Sequence, residues 1–139
     1  MQIYIHVKKI GKRVQAVGTI PYEMETACAT LRELISFIVT RSVAEYNRRL
    51  DKNRLDAPLG GAQLEDMAMV GKIGFGIPFG EKEANVQSAL NVALEAFSDG
   101  LYRFFINAQE IKALDAPLNL QDGDTVAIIR LTMLTGGIF

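Results

Sequence analysis

Apolar and polar residues alternate from the start of the chain, with Ile3, Ile5 and Val7 on one face and Tyr4 and His6 on the other. A period of two predicts a half-buried strand over Gln2 to Val7. The stretch from Lys8 to Arg13 is a polar turn containing Gly11, and Val14 to Ile20 is a second β-rich run. Residues 2–20 therefore read as an antiparallel hairpin, ended by Pro21 because proline has no N–H for a ladder. The period then changes. Leu31, Leu34, Ile35, Ile38, Val39, Ser42 and Tyr46 recur at spacings of three and four, which predicts an amphipathic helix over 31–50. Thr30 with Glu33 fits a capping box at its start, and Arg48 and Arg49 suit the negative end of its dipole.

Residues 51–80 are less regular. DKNRLDAPLGG is turn-rich, QLEDMAMV suits a short helical turn, and GKIGFGIPFG holds four glycines and a proline. A second helix is expected over Asn85 to Ser98, with Val86, Ala89, Leu90, Ala93, Leu94 and Phe97 on one face and Gly100 as its left-handed stop. Leu101 to Ile106 then reads as a strand, Asn107-Ala108 as a turn and Gln109 to Ile111 as a short return strand. A loop, LDAPLNLQDGD, leads into Thr125 to Met133, whose apolar run Val126 to Ile129 suits a central strand. Residues 134–139 form a tail. No internal repeat is evident. The order hairpin, helix, strands implies an α+β roll in one domain, a mixed sheet wrapped over one main helix with the late strand beside the first. Residues 51–98 then stand as an insertion that includes the second helix.

Composition narrows the function. Lys and Arg total 15 against 16 Asp and Glu, a net charge of −1, so no overall field draws in nucleic acid or an anionic membrane. One cysteine, Cys28, allows no intramolecular disulfide, and with His6 as the sole histidine no zinc site of the usual nitrogen and sulfur type can be assembled. The start of the chain is not a signal peptide, no apolar run approaches membrane-spanning length, and a soluble cytoplasmic protein is expected.

The residues Asn107, Leu114, Pro117, Leu118, Asp122, Gly123, Asp124, Val126 and Ile128, followed by Gly136-Gly137, resemble the end of the ubiquitin-like sulfur carriers. The match is loose over residues 1–50 and closer over 101–137. It implies a β-grasp (ubiquitin-like) fold and a modifier or carrier that is no enzyme and has no catalytic residue, metal or cofactor of its own. It further implies an adenylating activating enzyme as partner, acting on the carboxylate of Gly137, with Leu134 and Thr135 as the stretch of tail that enzyme recognises. In ubiquitin basic residues flank the apolar tail position; Met133 and Thr135 stand there in this chain. Ile138 and Phe139 follow the diglycine, so the resemblance also implies a protease that removes them. Glycine gives an attacking group access to the carbonyl and supplies backbone freedom. The plainer reading is a flexible terminal loop with Ile138 and Phe139 packed on the core.

Other features carry less. Gly71, Gly74, Gly76 and Gly80 fail the spacing of both phosphate-loop motifs. Phe75, Ile77 and Phe79 between them form a partner patch if exposed and core if folded back. Cys28 precedes a helix end that stabilises a thiolate, yet a lone cysteine is usually a small buried hydrophobe. Glu23, Glu25, Asp122 and Asp124 suit loops and turns, and no paired carboxylates suggest acid–base catalysis. The alternative to a carrier is a non-conjugated β-grasp interaction module or assembly subunit that uses its sheet edge and residues 51–98, with target or self-association as the outcome.

Overall fold

The computed structural model describes residues 1–11, 13–51, 64, 66–80 and 82–131. It is an α+β structure with a mixed five-stranded sheet. Strands β1 (Gln2–Ile10) and β2 (Val14–Glu23) form the hairpin, and α1 (Leu31–Asp51) follows. A short helix, α2 (Met67–Met69), runs on into a π-helical turn (Val70–Gly74), and then come α3 (Val86–Ser98), β3 (Tyr102–Ile106), β4 (Gln109–Ile111) and β5 (Thr125–Leu131). The sheet order is β2-β1-β5-β3-β4, with β5 parallel to β1 and antiparallel to β3. The late strand thus lies beside the first in the middle of the sheet, as its apolar run required. Met133, expected at the end of that strand, lies outside the described residues.

Pro21 corrects the expected end of the hairpin, because β2 continues through it to Glu23 and pairs Pro21 with Tyr4. The Tyr4 N–H is donated away from β2, to the Asp124 carbonyl at 2.9 Å. Tyr4 and Pro21 therefore form a non-hydrogen-bonded pair, and the proline nitrogen points out from an edge strand where no donor is needed.

Every residue of the apolar face expected for α1 is buried, with Val43 in addition. Its start differs in one contact. The Thr30 hydroxyl accepts from the Glu33 N–H at 3.3 Å, but the Glu33 carboxylate reaches one residue further back, to the Ala29 N–H at 3.4 Å. In α3 the expected face is rotated: Ala89, Ala93 and Ala96 are buried while Val86 is 38% exposed. Small residues let α3 lie close against α1. Asn85 caps α3, its side chain accepting from the Ser88 N–H at 2.9 Å, and Gly100 closes it at φ +75°.

The segment from Met67 to Ile77 is no appended loop. Met67, Ala68, Met69, Val70, Phe75 and Ile77 are buried, so this stretch fills the core between α1 and the sheet. Gly71 sits where an added Cβ would lie 2.8 Å from the Ser42 Cβ, and Gly74 where it would lie 3.3 Å from Ile128. These glycines serve close packing.

Candidate functional site

The resemblance implies a working part at the tail, and β5 is the described element that precedes it in the chain. Leu134, Thr135, Gly136, Gly137, Ile138 and Phe139 all lie outside the described residues, so the geometry concerns what holds β5. At the start of that strand the Asp122 carboxylate accepts from the Gln2 N–H at 2.7 Å, and Gly123 turns the chain at φ +89°. Asp124 accepts from the Gln121 N–H at 2.8 Å and from the Asn107 side-chain amide at 2.9 Å. The Asn107 side-chain oxygen in turn accepts from the Thr125 N–H at 3.0 Å. The two acids of the DGD turn and Asn107 thus bind backbone, and Asn107 and Asp124 bind each other, which is structural work.

The loop before it closes a helix. The Leu31 and Arg32 N–H groups, two of the donors that a helix start leaves without internal partners, go to the carbonyls of Ala116 at 3.3 Å and Leu114 at 2.8 Å. Thr30 bridges Pro117, and the Leu118 N–H reaches the Ala29 carbonyl at 2.8 Å. Arg32 pairs with Asp115 at 3.1 Å, which holds the Asp115 carboxyl below its usual range. Residues that carry the resemblance in sequence therefore brace α1 and the start of β5.

At the other end, Ile10 pairs with Leu131, and the Leu131 N–H is donated to the Leu101 carbonyl at 3.0 Å. The chain passes from there into residues 132–139. Two rows of residues cross the sheet at this end: Lys8, Ile129 and Arg103 on the open face, and Lys9, Arg130 and Tyr102 on the core face. The Arg130 guanidinium packs on Gly76, where an added Cβ would lie 2.6 Å from it, and Gly76 has φ +75°. Its Nη1 is buried and has no hydrogen-bond partner among the described residues. Burial pulls its pKa below the usual guanidinium range, against a smaller opposing effect of Tyr102.

Of the two readings of Phe75, Ile77 and Phe79, the exposed partner patch is corrected and the core reading holds. Phe75 and Ile77 are buried in the core, and Phe79 is half-buried and stacks on Tyr46 with ring centroids 4.3 Å apart. Their side chains are held by the core and so do not form an exposed surface. Beside them an open groove of about 510 Å³ runs between Pro78 and the start of α3. Cys28 is buried, and desolvation followed by the nearby Glu33 charge raises its pKa, so the thiol form is favoured and not the thiolate that a helix end alone would stabilise. His6 Nδ1 lies 2.6 Å from the hydroxyl of Thr19, its cross-strand partner.

Sequence reasoning missed three polar fixtures. Asn47 binds Ala84 through both side-chain atoms, at 3.0 and 2.7 Å, and so fixes the loop ahead of α3. Arg49 pairs with Asp66, and Glu45 accepts from the Met67 N–H at 3.1 Å, which together hold α2 to α1. Arg130 is the third. Among the described residues no three His, Cys, Asp or Glu side chains gather in a way that would hold a metal ion, and no helix is long and apolar enough to cross a membrane. Set against known proteins, the chain matches no family model, no curated protein and no solved structure.

Proposed function

We propose that this chain is a β-grasp protein working as a ubiquitin-like modifier or carrier, activated at the carboxylate of Gly137 once Ile138 and Phe139 have been removed. The hairpin, the long helix, the parallel pairing of β1 with β5 and the order β2-β1-β5-β3-β4 all support the fold assignment. One observation carries the function. The diglycine begins five residues beyond Leu131, the end of a central strand held on both sides by β1 and β3. A strand held on both sides is thus followed within a few residues of sequence by a side-chain-free pair, which suits a carboxylate that must enter another protein's active site. The Gly137 carboxylate attacks the α-phosphate of an ATP bound by the activating enzyme, pyrophosphate leaves, and a thiol or sulfide then displaces AMP from the acyl-adenylate. Leu134 and Thr135 are the positions the enzyme reads next to the glycines.

The sheet edges weigh against a module that recruits partner strands. On β2 the outward position at Pro21 has no donor, and the Val17 carbonyl is taken by the Leu64 N–H at 3.3 Å. The other edge, β4, has three residues. Short or proline-blocked edges suppress strand addition.

Intact-mass measurement on protein recovered from its native host tests the reading. Loss of everything beyond Gly137, with or without exchange of one oxygen for sulfur, is expected. Recovery of only the full-length mass would overturn it and leave a diglycine of no covalent use.

A further inference from the structure

A groove of about 510 Å³ lies open against the first two turns of α3. Pro78, Phe79, Ala84 and Val92, each at least partly exposed, form its apolar walls over buried Ala89, and exposed Lys82 and Ser88 stand on its rim. The core holds these walls in place, since Phe79 stacks on Tyr46 and Asn47 ties down Ala84. The segment that lines the groove begins next to the end of β5. The Arg130 guanidinium packs on Gly76, two residues before Pro78, and Leu131 follows Arg130 in the chain. One donor along this path is unmatched: Arg130 Nη1 is buried with no hydrogen-bond partner among the described residues. A buried donor in that state is costly, so its acceptor is expected from outside them.

The eight residues after Leu131, TMLTGGIF, carry no charge. Fully extended, such a stretch spans at most about 26–29 Å. Helix α3 has 13 residues and is therefore about 20 Å long, and the Leu131 N–H is bonded to Leu101, just past the C-terminal end of that helix. Ile138 and Phe139 are thus within reach of the groove at the helix start, along a path that passes Arg130. We propose that Ile138 and Phe139 seat in this groove in the uncut chain, with a main-chain carbonyl of residues 132–137 accepting from Arg130 Nη1, and that their removal releases Gly137. The inference rests on the carrier reading and adds its regulation: the two residues cut away are the anchor that keeps the tail on the body. Two side chains make a contact far smaller than a stable interface between separate proteins needs. On a short tether they meet the groove at an effective concentration in the millimolar range, which favours the chain's own tail over a separate partner.

The chain contains no tryptophan, so Phe139→Trp reports on that one position. It is placed in the full chain alone, with Ser88→Arg, which projects from an exposed helix position into the groove, and with Gln87→Arg, an exposed neighbour that does not line it. Emission at short wavelength and several-fold weaker acrylamide quenching than in the urea-unfolded chain are expected for the first and third, and loss of both for Ser88→Arg. Ser88→Glu is expected to act as Ser88→Arg does, which makes the effect steric, and thermal unfolding checks that every variant folds. In native-host extract, Ser88→Arg with Phe139 in place is expected to be trimmed to Gly137 about tenfold faster than wild type, because a protease cuts the undocked form. Solvent-exposed emission in every chain, or short-wavelength emission that Ser88→Arg leaves unchanged, overturns the anchor alone. So does a shift that appears only as protein concentration rises, since the tail then sits in a second copy. Equal trimming rates overturn the release. Trimming of neither chain overturns the carrier reading and the regulation with it, while the tryptophan result still decides where the tail sits.

Discussion

At the scale of single residues, His6 gives the clearest consequence. Desolvation, then the Lys8 charge, lowers its pKa below 6.5, with a backbone hydrogen bond at Gly18 acting in the opposite direction. A lowered value in the folded state means that the unfolded chain binds more protons, so this contribution is complete above about pH 6.5 and is lost as pH falls through the folded value. Asp115, lowered by Arg32, has the same sign but acts in the more acidic carboxylate range. Because His6 is the sole histidine, the two ranges separate. The urea midpoint is expected to hold between pH 7 and 8 and to decline below about pH 6.5, and His6→Gln to flatten that first decline. An unchanged slope in His6→Gln would assign the decline to carboxylates. That Asn107, Asp122 and Asp124 sit in turns was legible in the sequence, and the Asp124 bond to the Gln121 N–H is local, but the Asp122 bond to Gln2 across 120 residues and the Asn107 bonds to Asp124 and Thr125 were not. Asn47 was not legible, since its partner Ala84 lies 37 residues away and an asparagine inside a helix announces nothing.

Among the elements, the amphipathic helices were readable because each buries residues along one stripe and leaves the opposite side to solvent. The buried face of α1 follows its three- and four-residue spacing closely, and α3 departs only through the rotation that small side chains permit. The segment after α2 defeated the same method. It is enclosed on more than one side, so no stripe forms, and its glycines imitate a loop composition while serving as contact points. Substitutions there distinguish packing from flexibility. For Gly71→Ala the new methyl meets the Ser42 Cβ at 2.8 Å, a backbone-anchored atom that cannot swing aside. The cost is expected at about 1–3 kcal/mol, as for other overpacked core sites. Gly80→Ala, with nothing within 4 Å of the added atom, is expected to stay within about 0.5 kcal/mol of wild type. Denaturant titration of the two variants decides the matter: equal stabilities would show that the Met67–Ile77 stretch is not tightly packed.

For the whole molecule, the place of β5 beside β1 was legible from two facts of sequence, a hairpin at the start and an apolar strand late in the chain that needs neighbours on both sides, whereas the place of β3 and β4 was not. The parallel pairing of β5 with β1 makes the sheet mixed. The protection of its edges was not legible, because Pro21 read in isolation says only that a ladder stops. In the sheet it says that β2 has an outer side from which no N–H is offered at that point, next to the contact of Leu64 with Val17. An edge of this kind keeps a sheet from pairing with copies of itself. Pro21→Thr restores an outward N–H while keeping a residue suited to strands. The variant is expected to fold with wild-type stability within about 1 kcal/mol, as a surface change should. Sedimentation velocity over rising concentration is expected to show wild type remaining monomeric while Pro21→Thr shifts toward dimers and larger species. Identical profiles for the two would mean that Leu64 and the bend of β2 at Gly18 protect the edge without the proline, and the argument against strand recruitment would then rest on those contacts alone.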